Sequence, residues 1–174
     1  AGMPGQVHSV AMTPDAKRWA FVMLDATGQP NNKIGVINIS GNTPPQVITL
    51  YAPGTEGAKL DIVKYADSMD FMPDGQTLIY DAYSEFRTKE GAVFGAWTMY
   101  SLDLATETIS MLIDLDEGLD FGNPSLGNVN SHLVTYEVID KKSRRSTIYA
   151  GDLQTGKTSR IATLSTAGQI GVPC

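Results

Sequence analysis

The sequence predicts an all-β chain: a four-stranded antiparallel unit occurring about three times in a row. Three observations lead there. One segment pattern recurs along the chain, the recurring segments are rich in β-branched and aromatic residues, and Pro, Gly, Asn and Asp punctuate them. No long segment keeps a helical period, so the connections are read as turns and loops.

The first segment of each copy ends in a tight turn followed by an apolar strand. "VAMTPDAKRWAFV" from Val10 aligns without a gap on "MDFMPDGQTLIYD" from Met69. Pro14-Asp15 falls opposite Pro73-Asp74, and Trp19-Ala20-Phe21 opposite Leu78-Ile79-Tyr80. "PSLGNVNSHLVTYE" from Pro124 is a degenerate third copy, with Gly127-Asn128 in place of Pro-Asp. A variable loop and a third strand come next, in "NKIGVINIS", "GAWTMYSLDLATET" and "RSTIYAGDLQTGKT". Tyr100 thereby matches Tyr149, and Asp103 matches Asp152. A short fourth strand closes each copy, in "QVITL", "TISMLIDL" and "SRIATL". The units run over roughly 7–50, 66–115 and 121–165, with 168–174 read as the start of a further strand. "EGAKLDIVKYA" from Glu56 is read as a loop feeding the second unit, and "DATGQPNNK" and "SEFRTKEGAVFG" as the long loops within units.

Units of this kind are blades of a β-propeller, slightly longer than the usual repeat of about 40–45 residues. The motifs also resemble the TolB-type propellers and their WD-like relatives, which pair a Pro-Asp-Gly turn with an "LIY" strand and then "IYxxDLxTGK". Here the matching stretches are "FMPDGQTLIYDAY", "TIYAGDLQTGKTSRIATL" and, more weakly, "MTPDAKRWAFV". The resemblance covers nearly the whole chain. It implies a ring of roughly six or more blades, so three blades would be part or half of one. The expected partners are therefore the remaining blades of a larger propeller or a second copy of the chain. The resemblance also implies export, to a periplasmic or extracellular location.

Composition narrows the function classes. With 42% hydrophobic residues in 174, the chain can bury a core. Thirteen basic against nineteen acidic residues give a net charge of −6, which argues against a nucleic-acid partner. The one basic run, Lys141, Lys142, Arg144 and Arg145, is read as a solvated loop. No apolar run is long enough to span a bilayer. The single cysteine, Cys174, excludes an internal disulfide and any Cys-based metal framework.

"GDLQTGKT", Gly151 to Thr158, satisfies the phosphate-loop pattern, and "MLIDLDE" mimics the magnesium-binding partner of such a loop. A phosphate loop must open a helix, whereas "SRIATL" reads as a strand. The sister copy builds the same turn as "LDLATETI", with Glu107 at the glycine position. The stretch is therefore read as a turn between outer strands, and no cofactor is assigned. Asp114, Asp116 and Asp120 form a weak calcium candidate whose spacing fails the EF-hand pattern. His8 and His132 lie in different copies and are read as structural or exposed. Asn38-Ile39-Ser40 fits the glycosylation tripeptide, a pattern that arises often by chance. No serine sits in a nucleophile elbow.

These readings describe a non-enzymatic scaffold for binding a protein or a neighbouring domain. The partner-binding candidates are Phe86, Phe94 and Trp97, with core packing of these aromatics as the alternative. The second functional reading is an accessory propeller of a larger exported enzyme, a hydrolase or a multihaem oxidoreductase.

Overall fold

The structure, a computed structural model, describes residues 7–39, 41, 43–53, 62–88, 90–127 and 132–163. Cys174, the 168–174 stretch, Asn128 of the third turn and Ser40 of the glycosylation tripeptide lie outside them.

Among the described residues twelve strands form three antiparallel sheets, each ordered as in the chain. The first holds β1 (Val7–Met12), β2 (Arg18–Leu24), β3 (Pro30–Asn38) and β4 (Gln46–Thr49). The second holds β5 (Ile62–Phe71), β6 (Thr77–Arg87), β7 (Val93–Asp103) and β8 (Thr108–Met111). The third holds β9 (Leu119–Leu126), β10 (Leu133–Asp140), β11 (Arg145–Asp152) and β12 (Thr158–Thr163). No helix occurs among the described residues. First strands pack on first strands, β1 on β5 and β5 on β9, while β3 packs on β5 and β7 on β9. The two junctions are thus built alike, as blades stacked face to face.

Parts of the three stretches read as loops belong to strands: β3 already begins at Pro30, and 56–61 of the stretch feeding the second unit lies outside the described residues. β5 begins at Ile62, where Val63 opposes Ser84 and Tyr65 opposes Tyr83. β6 and β7 run on to Arg87 and back from Val93, because Phe86 pairs with Phe94 and closes the hairpin on an aromatic contact.

The tips of the hairpins repeat one device. An Asp carboxylate accepts the backbone N–H groups two or three residues ahead: Asp15 from Lys17, Asp74 from Gln76 and Thr77, Asp103 from Ala105 and Thr106, and Asp152 from Gln154 and Thr155. The Thr13 hydroxyl together with the Lys17 amide holds the Asp15 carboxyl below its ordinary pKa, and the turn amides do the same for Asp103 and Asp152. Each turn then needs a left-handed residue. Gly75 supplies it at φ 64° and Gly156 at φ 68°, while Ala16 and Glu107 occupy the matching places at φ 58° and 55°. The phosphate-loop match is thereby a β11–β12 hairpin: Gly156 N–H donates to the Asp152 carbonyl, and a strand follows.

Packing follows the repeat. Tyr80 stacks on Tyr100 at 5.4 Å in the second blade, and Tyr136 on Tyr149 at 5.9 Å in the third. In the first blade Phe21 takes the place of the first tyrosine. Its ring lies over Gly35, where any Cβ would collide with it. The Tyr100 hydroxyl reaches Ser84, but the buried Tyr80 hydroxyl has no partner among the described residues.

Two stability predictions follow from these sites. Ala16→Gly and Glu107→Gly each relieve a left-handed side chain and raise unfolding stability in urea by about 0.5–1 kcal/mol. A fall in stability for both would contradict the turn assignment. Tyr80→Phe removes a stranded hydroxyl and keeps the ring, so it stabilises by about 1 kcal/mol in the same assay.

Candidate binding cavity between the second and third blades

Buried and partly buried carboxylates join the second blade to the third. Asp81, next to the middle of β6 and 3% exposed, accepts Ser68 N–H at 2.7 Å within its own blade and Asn123 N–H at 2.7 Å from β9. Asp70 accepts Leu126 N–H at 2.9 Å, and Asp120 of β9 accepts Trp97 N–H at 2.9 Å in the opposite direction. Asn123 sits in the β9 bulge at φ 54°. That conformation turns its amide toward Asp81, while its side chain donates to Glu137 Oε2 at 2.7 Å and accepts from Ser68 Oγ at 3.1 Å. Glu137, 1% exposed, also accepts the Ser146 hydroxyl. Residue 122 must be glycine, since a Cβ there would lie 2.6 Å from Asp81 Oδ2.

These groups surround a cavity of about 80 Å³ lined by Asp67, Asp81, Trp97, Asp120, Asn123 and Glu137, among others. Two bases balance its rim: Lys141 Nζ lies 3.2 Å from Asp120 and His8 Nε2 2.7 Å from Asp67. Burial pushes the Asp81 carboxyl up to about 7, and the negative charge of Asp67 adds to the shift; the Asn123 and Ser68 amides pull the other way. Beside the cavity, Trp97 meets Tyr65 and Tyr83 edge-on at 5.3 and 5.9 Å, and the two tyrosines stack at 5.5 Å. Gly95 leaves the space that the Tyr83 hydroxyl fills.

The residues singled out from the sequence separate here. Phe86 is buried in the core between the first and second blades, and Phe94 is partly buried against it. Trp97 lies on the other face of the second blade, half-buried at the cavity. The calcium candidate is not assembled. Asp114 and Asp116 are exposed in the β8–β9 connection, where Asp116 closes its own turn on Gly118 N–H, while Asp120 is in β9 and engaged by Trp97 and Lys141. Among the described residues no three His, Cys, Asp or Glu side chains converge as a metal site. Lys141 likewise leaves the solvated basic run, donating to the Gly95 carbonyl at 3.0 Å. Sequence reasoning missed Asp67, Asp81, Asn123 and Glu137. The one available signal was a charged residue inside the apolar runs "LIYDAY" and "LVTYEVI".

No protein-family profile and no curated protein matches the chain. Among solved structures it is similar to a chain of a nidogen/laminin complex, at 10% identity over 91% of this chain and 49% of that one, with a TM-score of 0.58. It is also similar to the periplasmic gluconolactonase of Pseudomonas aeruginosa (14% identity, 92% of this chain, 54% of that one, TM-score 0.40). A third similarity is to an oligogalacturonate lyase in complex with manganese (10%, 90% and 53%, TM-score 0.38). The chain spans about half the length of these structures. At such identities the likeness speaks for fold alone. With its three blade-like sheets in sequence, the chain is a segment of a β-propeller. No helix among the described residues is long and apolar enough to cross a membrane.

Gly122→Ala displaces the Asp81 carboxylate and weakens the junction, lowering stability by about 1–3 kcal/mol in chemical denaturation. Asp81 also sets a pH dependence. Its folded pKa, about 7, lies above the ordinary 3.8, so the folded state holds the proton more tightly. Its contribution is full below pH 3.8 and is lost as pH rises through 7, by as much as about 4 kcal/mol. Denaturation of the wild type and Asp81→Asn from pH 4 to pH 8 should show the balance moving toward Asp81→Asn as pH rises. A pH-independent difference would contradict the assigned environment.

Proposed function

We propose that the chain serves as a rigid, non-enzymatic propeller platform for a protein or domain partner, and that the cavity beside Trp97 receives a basic side chain of that partner. The observation that carries this reading is the half-buried cluster of Tyr65, Tyr83 and Trp97 bordering the carboxylates of Asp67 and Asp120. Aromatic faces and carboxylates together suit a guanidinium or ammonium group, and Trp and Tyr dominate protein-contact energetics. The net charge of −6 favours encounter with a basic partner. Phe86 and Phe94 pack into the core on the other face of the second blade and stand apart from this surface. Export, to the periplasm or outside the cell, is the location that the TolB-type motifs support.

A second reading, the accessory propeller of a larger exported hydrolase or multihaem oxidoreductase, is favoured by one observation. A buried carboxyl raised to about 7 beside a cavity is what acid–base chemistry requires. A serine elbow or CxxCH motifs in flanking sequence would select that reading.

The platform reading is tested with Nα-acetyl-argininamide, monitored by Trp97 fluorescence in a Trp19→Phe background. The expected result is a saturable change, absent with Nα-acetyl-glutaminamide and weakened about threefold to tenfold by Asp67→Asn. No saturable response, or an unchanged one in Asp67→Asn, would contradict it.

A further inference from the structure

The repeat assigns a role to an uncovered face of the first blade. Cross-strand registry puts Val10, Phe21, Gly35 and Val47 in one row and Met12, Trp19 and Ile37 in the next, on the face turned away from the second blade. Val10, Met12 and Val47 are 50%, 49% and 50% exposed. The corresponding rows of the second blade are Met69, Tyr80, Tyr100, Met111 and Phe71, Leu78, Leu102, Ile109. All but Met111 are buried there, and Met111 packs against the same core. What covers them is the small aliphatic inner face of the first blade: Ala20, Val22, Ile34, Val36 and Ile48. One apolar face is therefore covered, and its repeat equivalent is, among the described residues, open at Val10, Met12 and Val47 around the buried Phe21.

The third blade offers the matching cover. Its face turned away from the second blade carries Thr135 and Ala150 in one row and Ile148 and Ala162 in another, the register places of the aliphatic residues in the first blade. Glu137, on the same face, is already engaged by Ser146 and Asn123, so covering that face strands no charge.

We propose that the outer face of the first blade docks the outer face of the third blade of a second copy. Two such junctions, related by a two-fold axis, close a six-bladed ring. The pairing depends on the propeller fold alone and stands apart from the cavity reading above.

The test is sedimentation equilibrium of the purified chain over a concentration series. The expected species is a dimer of twice 18.7 kDa. Val47→Lys and Met12→Glu, at half-exposed positions, should each raise the dimer dissociation constant at least about tenfold while circular dichroism keeps the wild-type strand signal. A folded wild-type monomer throughout the series would overturn the proposal and point to covering blades from another source. A ladder of open oligomers, or dimers indifferent to both substitutions, would overturn it as well.

Discussion

The second sheet of this chain is apolar on both faces, and that constraint governs the rest of the structure. A sheet with one wet face alternates apolar and polar residues along each strand. Here β6 buries Leu78, Ile79, Tyr80, Asp81 and Ala82 in succession, so the second blade must be covered on both sides. The first blade covers one face with small aliphatic side chains, and the third covers the other with Phe121, Val134 and Tyr136 around Ile79 and Met99. Stacked blades satisfy the requirement, and a propeller is the architecture that repeats the stacking.

The two junctions differ in their polar groups. Between the first and second blades, exposed or part-buried contacts suffice: Arg18 to the Gly75 carbonyl, Gln46 to the Leu104 carbonyl, and His8 to Asp67. Between the second and third, carboxylates are driven inward and answered by backbone amides, with Asp81 at the centre. A buried carboxylate costs several kcal/mol unless its oxygens are hydrogen-bonded. Both Asp81 oxygens are bonded, yet burial still outweighs those bonds and its proton is held unusually tightly. The bulge at Asn123 and the missing side chain at Gly122 make that approach possible.

The blades were legible in the sequence because local chemistry specifies them. Pro-Asp turns, left-handed glycines and runs of Ile, Val and Tyr act within a few residues of one another, and the match of "LDLATETI" to "GDLQTGKT" exposed the phosphate-loop pattern as a hairpin. The cavity was not legible, because its residues are brought together by packing between blades. Asp81 within "LIYDAY" is indistinguishable by pattern from an outward-facing residue. Asp120 is close in sequence to Asp114 and Asp116, but strand β9 begins between them and turns Asp120 toward Trp97. Phe86 and Phe94 misled in the same way: a stretch rich in Glu, Lys and Gly looked like an exposed loop, although cross-strand pairing carries it into the core.

Carboxylate–amide bonds between blades make the second and third sheets one cooperative body. Native-state hydrogen exchange over a denaturant series tests it at single amides. The account predicts that the amides of Asn123, Leu126 and Trp97, which bond across the junction and not within a sheet, exchange only through the unfolding that releases the central amides of β6 and β10. Fast exchange at all three, insensitive to denaturant, would show that the blades open from one another freely and would contradict the account.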